Sequence, residues 1–344
     1  MSAGPATRVL TTRAGQEVSF SALGFGAAPL GNMRRALTDD EAASTVRRAW
    51  DLGLRYFDTA PLYGHGLSEQ RVGAALRNEP RDSYVLSTKV GRLLEPCAAG
   101  EENSGIFVDT PQVRIAFDYS YDGVMRSYEA SLGRLGLDRI DVLLVHDVDA
   151  PTHGSRAASE ARIRELIDRG GWRALDELRA AGDVAAIGAG VNEWEPCERL
   201  LALADPDVFL LAGRYSLLEQ TALDSLLPAC VARGVGVVIG GPFNSGILAT
   251  GPIPGASYDY APAPEPVLER VRALERVCQA HGVPLAQAAL QFPFGHPAVV
   301  SVIPGGQTPD EVERNVATLA RATPATLWSD LCAQGLIRAD APLP

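Results

Sequence analysis

Short, nearly continuous apolar runs alternate with longer amphipathic stretches along most of the 344-residue chain. Runs such as RYFDT, YVLSTK, IDVLLVH, VFLLAG and VVSVIPG are the length of strands. Because they do not alternate with polar residues, they predict strands covered on both faces, as in a parallel sheet. With LGFGAA, VAAIGAG and VGVVIGG they make eight. The segments between them, from DDEAASTVRRAWDLG to PLAQAALQF, carry apolar residues at helical spacing. TPDEVERNVATLARA follows the eighth strand, with a Thr placed to cap a helix and a Pro in its first turn. Eight strand–helix repeats predict an α/β fold of the (β/α)8 TIM-barrel type. Such a barrel needs about 250 residues or more, so residues 1–344 are read as a single domain. Before the first strand, VLTTRAGQEVSF reads as an N-terminal β-hairpin turning at Ala14-Gly15 and capping the bottom of the barrel.

Three connections are longer than scaffolding requires: Gly91 to Tyr121, Asp147 to Gly170, and Pro252 to Pro266. The first two follow strand C-termini, the face where barrels of this type keep their sites.

Composition narrows the function classes. A formal charge of −11 with no cluster of Lys and Arg argues against nucleic acid or an acidic membrane as partner. The five cysteines are scattered without a C-x-x-C pair, which reads as reduced thiols in a cytoplasm, and no residue set suggests a metal. No stretch approaches about 18 apolar residues. The expectation is a soluble cytoplasmic protein acting on a small molecule, with oligomeric state left open.

Four strand ends carry polar residues that a barrel core would reject. Asp58 ends the second strand and Tyr63 follows it in FDTAPLYG; Lys89 ends the third and His146 the fourth. Singly, Asp58 could cap the next helix and His146 could be a satisfied core histidine. A lysine inside a strand is seldom buried without a partner. Barrel geometry would bring all four to one place. A free phenol titrates near pH 10, so about 0.1% is ionised at pH 7. A cation within hydrogen-bond reach lowers such a value by roughly 1–3 units. Lys89, held by Asp58, is therefore expected to ease proton loss from Tyr63, with His146 orienting the same substrate oxygen. That is machinery for moving a proton while a cofactor carries the hydride.

With these residues in place, GLRYFDTAPLYGHGLSE, STK and LLVH closely resemble the aldo-keto reductase superfamily, from LGFGAAPLGN through IPGGQTPDEVERN. The resemblance implies Asp58, Tyr63, Lys89 and His146 as a catalytic tetrad. It implies a nicotinamide cofactor held by Gly26, by Asn192 at the carboxamide, and by the loop carrying Pro242, Phe243, Ser245, Gly246 and Leu248. Gly305, Gly306, Gln307, Thr308, Glu311 and Asn315 would hold its adenosine end.

Within the superfamily, LGFGAAPLGNM, the run FDYSYDGVMRSYEASLGRLGLDRIDVLLVHDVD, IGAGVNEW and IGGPFNSGIL are similar to a bacterial branch of sugar and pyridoxal dehydrogenases. That implies oxidation of a cyclic hemiacetal to a lactone. The substrate would be the C1 hydroxyl of an aldose such as L-fucose; the alternatives are pyridoxal giving 4-pyridoxolactone, or a general NADPH-dependent aldehyde reductase.

Three departures from the superfamily pattern stand out. Gly240 replaces a tyrosine that stacks on the nicotinamide, and Ala212 replaces a glutamine. The stretch GGQTPDEVE has no base before Arg314 and carries Asp310, Glu311 and Glu313, where a basic clamp for a 2′-phosphate would lie. NAD is therefore preferred over NADP, by like-charge repulsion. The same acids also suit the first turn of a helix. From their place in long loops, Tyr119, Tyr121, Trp194 and Phe243 are candidates for stacking a sugar, and Asp118, Asp147 and Asp149 for binding its hydroxyls.

Overall fold

A computed structural model describes residues 4–344. The chain opens with an antiparallel hairpin of β1 (Thr7–Thr11) and β2 (Glu17–Ser21), turning at Gly15 with φ +78°. Then come β3 (Phe25–Gly26), α1 (Asp39–Asp51), β4 (Tyr56–Asp58), α2 (Leu67–Leu76) and β5 (Val85–Val90). An antiparallel pair, β6 (Arg92–Pro96) and β7 (Val113–Phe117), stands out from the barrel before α3 (Tyr121–Leu135) and β8 (Val142–His146). Next are α4 (Ala150–His153), α5 (Arg156–Asp168), α6 (Gly171–Ala181), β9 (Ala186–Val191), α7 (Glu195–Leu203) and β10 (Val208–Ala212). The last part holds α8 (Leu226–Arg233), β11 (Gly236–Gly240), α9 (Ile247–Thr250), the two-residue strands β12 (Ser257–Tyr258) and β13 (Ala261–Pro262), α10 (Glu265–Ala280) and α11 (Leu285–Gln291). β14 (Val299–Ile303), α12 (Pro309–Leu319) and α13 (Ala325–Ala333) complete it.

The eight strands β3, β4, β5, β8, β9, β10, β11 and β14 form one parallel sheet in sequence order. Parallel bridges Leu23–Val302 and Gly26–Gly305 join its two edges, so the expected barrel is present. β5, β8, β9, β11 and β14 are buried at every position, as strands covered on both faces require, including the polar residues that β5, β8 and β14 carry. The hairpin drives Leu10, Val18 and Phe20 into the barrel interior against Tyr56, Val142, Leu210 and Val300, which plugs its bottom. A larger core fills the shell between strands and helices.

Local chemistry explains the helix starts. Thr38 and Glu41 form a reciprocal capping box on α1, and Ser120 caps α3. Thr308 caps α12 with Pro309 in the first turn, as the sequence indicates.

Four features differ from the sequence reading. α5 lies within what reads as a loop, β6 and β7 pair within another, and α10 and α13 were not anticipated. α10 has legible spacing, with Val271, Leu274, Val277 and Cys278 buried on one face. Its start is obscured by Pro264 and Pro266, which read as loop residues although Pro is at home in a first helical turn.

Close strand approach sets one firm constraint. Gly188 pairs with Val208, and a Cβ there would lie 1.6 Å from the Val208 carbonyl oxygen. Gly188→Ala is expected to cost about 3 kcal/mol or more in urea unfolding, at the upper end for overpacking, because backbone rather than side chain must move. Five free thiols are present, with Cys197, Cys230 and Cys278 buried. Among the described residues no helix is long and apolar enough to cross a membrane.

Candidate active site

Asp58, Lys89 and His146 are the last or nearly last residues of β4, β5 and β8, adjacent strands, so the parallel register delivers them to one end of the barrel. Lys89 and Asp58 are 1% and 2% exposed. The Lys89 ammonium donates to both Asp58 carboxylate oxygens, at 3.0 and 2.8 Å, and to the Thr59 carbonyl at 2.8 Å. Ser87 donates to Asp58 Oδ1 at 2.6 Å. Asp58 is thus a counter-ion, not a helix cap. Gly190 on β9 makes room for the lysine: a Cβ there would come within 3.1 Å of Lys89 Cε.

Tyr63 sits above this pair, with Lys89 Nζ 4.8 Å from the centre of its ring. Its backbone is pinned by close contact with Gly31, where a Cβ would fall 2.4 Å from the Tyr63 carbonyl carbon. The Phe107 ring lies 6.2 Å away on one side and the His146 ring meets it edge-on at 5.9 Å.

The electrostatics correct one expectation. Burial, not Lys89, dominates the Tyr63 proton. Burial pushes its hydroxyl well above the usual phenol range, Asp58 and Asp147 add to this, and Arg92 opposes it. All three Lys89 donors are engaged by Asp58 and Thr59, so Lys89 acts on Tyr63 as a nearby charge and not as a hydrogen-bond donor. Burial, with Arg92 and Lys89, also holds the His146 ring well below the usual imidazole range, so it is neutral at pH 7.

A second polar group adjoins the first. Asp147, in the left-handed region at φ +48°, accepts from Arg92 at 2.5 Å and from the Asn192 amide at 2.9 Å, with His146 Nε2 3.3 Å away. Its carboxyl is pushed up to about 6, chiefly by burial, with Arg92 opposing and Asp149 adding. Asp149 is buried, caps α4 and accepts from the Asn192 backbone at 2.7 Å.

Beside Tyr63 opens a cleft of about 450 Å³, within the range of small-molecule sites. Among the residues anticipated for a cofactor, Gly26, Pro242, Phe243, Ser245 and Gly246 line it. So do Gly305, Gly306, Gln307 and Glu311. Asn192, Leu248, Thr308 and Asn315 stand outside its wall. Asn192 is committed to Asp147 and Asp149, Leu248 is fully buried and Thr308 caps α12. Glu311 accepts from the Gln307 backbone at 2.6 Å while facing the cleft.

The stacking candidates separate. Phe243 lines the cleft, whereas Tyr119 is buried and donates to the His146 carbonyl, Tyr121 donates to Glu177, and Trp194 to Thr221. Asp118 is tied to Ser120 and Arg126.

Sequence reasoning missed Met33, Arg34, Arg35 and Tyr260 in the cleft wall. The three-residue run follows the first strand's C-terminal end, a placement that signals site residues in a barrel. Tyr260 lies in the Pro- and Gly-rich connection noted above, but nothing in its local pattern points at the cleft.

The glycines are what a cleft for a large cofactor requires. A Cβ on Gly305 would strike Pro29 at 2.9 Å, and Gly246, at φ +98°, borders open space. A glycine-lined cleft with Tyr63 and Gln307 both in its wall has the character of a nicotinamide dinucleotide site.

The aldo/keto reductase family model matches residues 22–331. A pyridoxal 4-dehydrogenase from Microbacterium luteolum is 43% identical over 329 residues, covering 93% of this chain and 95% of that protein. A D-threo-aldose 1-dehydrogenase from a Pseudomonas species is 41% identical over 325 residues, with the same shares covered. Among solved structures, the holo form of an aldo-keto reductase from Bacillus halodurans superposes with a TM-score of 0.73 at 27% identity, over 98% of each chain. The barrel, the cleft and these likenesses agree: the chain belongs to the aldo/keto reductase family and is an NAD(P)-dependent oxidoreductase.

Proposed function

We propose that the protein oxidises the C1 hydroxyl of an aldose such as L-fucose, in its cyclic hemiacetal form, to the lactone, with NAD as preferred cofactor. The observation that carries this reading is the buried Lys89–Asp58 pair beneath Tyr63 at the mouth of the cleft. The bound nicotinamide supplies the hydride acceptor. Tyr63 takes the hydroxyl proton, and neutral His146 holds the reacting oxygen by a hydrogen bond. Asp58 fixes Lys89 as the local positive charge. Asp147, its oxygens held by Arg92 and Asn192, anchors the polar cluster beside Tyr63. Asn192, its Nδ2 held by Asp147 and Asp149, has its amide oxygen left to meet the nicotinamide carboxamide. Glu311 at the far end of the cleft favours a free ribose hydroxyl over a phosphate. The single-domain, cytoplasmic character expected from the sequence accompanies this role.

A second reading has its own support. Pyridoxal is the substrate in the name of the Microbacterium relative, and the buried Phe107 ring 6.2 Å from Tyr63 adds an aromatic neighbour at the reacting end.

Initial rates of reduced-cofactor formation with L-fucose, pyridoxal and a simple alcohol, each with NAD and with NADP, decide between them. L-Fucose with NAD is expected to be fastest. Turnover of pyridoxal alone would move the substrate and keep the mechanism; an NADP-only signal would overturn the role given to Glu311.

The oxidative rate should also depend on pH in a definite direction. Tyr63 must lose its proton to act, and its proton is held more tightly than a free phenol's. The competent fraction therefore rises about tenfold per pH unit below the phenol's own titration. The log of kcat/KM for oxidation is expected to climb from pH 7 to 9.5, and a plateau beginning below pH 7 would identify another base.

A further inference from the structure

The connection between β11 and α10 makes a tight turn that costs backbone strain. Asp259 and Tyr260, at φ +48° and +62°, are consecutive non-glycine residues in the left-handed region between the paired strands β12 and β13. Each such residue costs on the order of 1–3 kcal/mol and persists only when its surroundings hold it. Here they do. Arg214 grips Asp259 through two bonds of 3.0 and 2.9 Å, Arg34 donates to the Tyr260 carbonyl at 3.0 Å, and the Tyr260 amide donates to Ser245 Oγ at 3.0 Å.

The product of this bracing is a tyrosine that is 55% exposed yet forms part of the cleft wall with Tyr63 and Asp58. Burial raises the proton affinity of its hydroxyl, Asp147 and Asp259 add to this, and Tyr260 in turn influences Tyr63. The strand ends nearest this point, Ala212 and Gly240, present no ring to the cleft. Gly240 has little room for one, since a Cβ would already sit 3.1 Å from Leu210.

We infer that Tyr260 is the aromatic face that covers the nicotinamide ring of the bound dinucleotide, supplied by a braced turn instead of by a barrel strand. This rests on the oxidoreductase reading above. The nicotinamide ring must lie beside Tyr63 for the hydride to leave the carbinol carbon as the proton leaves its hydroxyl oxygen, and Tyr260 is an exposed ring in the same cleft wall as Tyr63. The ties to Arg34 and Ser245, both in the cleft wall, fix it in place.

Equilibrium titrations of NADH and of ADP-ribose, which lacks the nicotinamide ring, test this on the wild type, Tyr260→Phe and Tyr260→Ala. Tyr260→Ala is expected to weaken NADH by about tenfold, the scale of one ring-on-ring contact, and to leave ADP-ribose within about twofold. Tyr260→Phe should bind both as the wild type does. Equal weakening of both ligands by Tyr260→Ala, no weakening of either, or a loss in Tyr260→Phe as large as in Tyr260→Ala would each overturn the inference. Failure of the wild type to bind NADH or NADPH would instead overturn the oxidoreductase reading, and this inference with it.

Discussion

Tyr63→Phe is expected to lower kcat for substrate oxidation by about 10²- to 10⁴-fold, the range for loss of a positioned acid–base group. The affinity for NADH should be nearly unchanged. The substitution removes one oxygen and keeps the ring that packs beside Phe107 and above Lys89. Steady-state kinetics with fluorescence titration of NADH separates the two effects. The arrangement makes the prediction demanding, because Tyr63 holds its proton more tightly than a free phenol and a second acceptor is close. Asp147, pushed up to about 6, titrates nearer neutrality than Tyr63 does. If the variant kept its kcat within a few-fold, the proton would be leaving by another route, and Asp147 would be the first group to substitute.

The barrel was legible because its signal is repetitive. Eight largely apolar runs separated by helical segments admit few topologies, and the lack of polar alternation in them marks strands buried on both faces. The convergence of Asp58, Lys89 and His146 follows from that topology: residues at the C-terminal ends of neighbouring parallel strands have nowhere else to go. What was hidden depends on contacts between segments distant in sequence. α10 was masked by two prolines that serve as helix starters. Arg34 and Tyr260 are joined across 226 positions by one hydrogen bond, and no local pattern encodes it. The proton affinity of Tyr63 was misjudged for a related reason. The sequence places a cation beside it, but not the three acceptors that already satisfy that cation, nor the burial that outweighs it. Asp118, Asp149, Tyr119, Tyr121 and Trp194 illustrate the same limit: a polar or aromatic residue in a long loop is as readily used for capping, surface pairing or packing as for a ligand.

Lys89 and Asp58 give the second large effect, on stability as well as rate. Both are at most 2% exposed, and each provides most of the other's polar contacts. Asp58→Asn leaves a buried ammonium without its counter-ion, and Lys89→Met leaves a buried carboxylate with Ser87 as its remaining side-chain donor. Breaking a buried pair from one side costs about 3–5 kcal/mol, whereas replacing both charges is often nearly neutral, because the desolvation of both ions disappears along with their attraction. Urea unfolding at pH 7 is therefore expected to show each single variant destabilised by about that amount and the Asp58→Asn/Lys89→Met double variant recovering most of the loss. Activity should behave differently. The double variant removes the unpaired buried charge but does not restore the positive charge beneath Tyr63, so its kcat is expected to stay as low as that of Lys89→Met. If stability and turnover recovered together, the pair would be a packing device and Tyr63 would need no cation. If stability recovered and turnover did not, the charge would be kept for chemistry at a cost the fold could otherwise avoid.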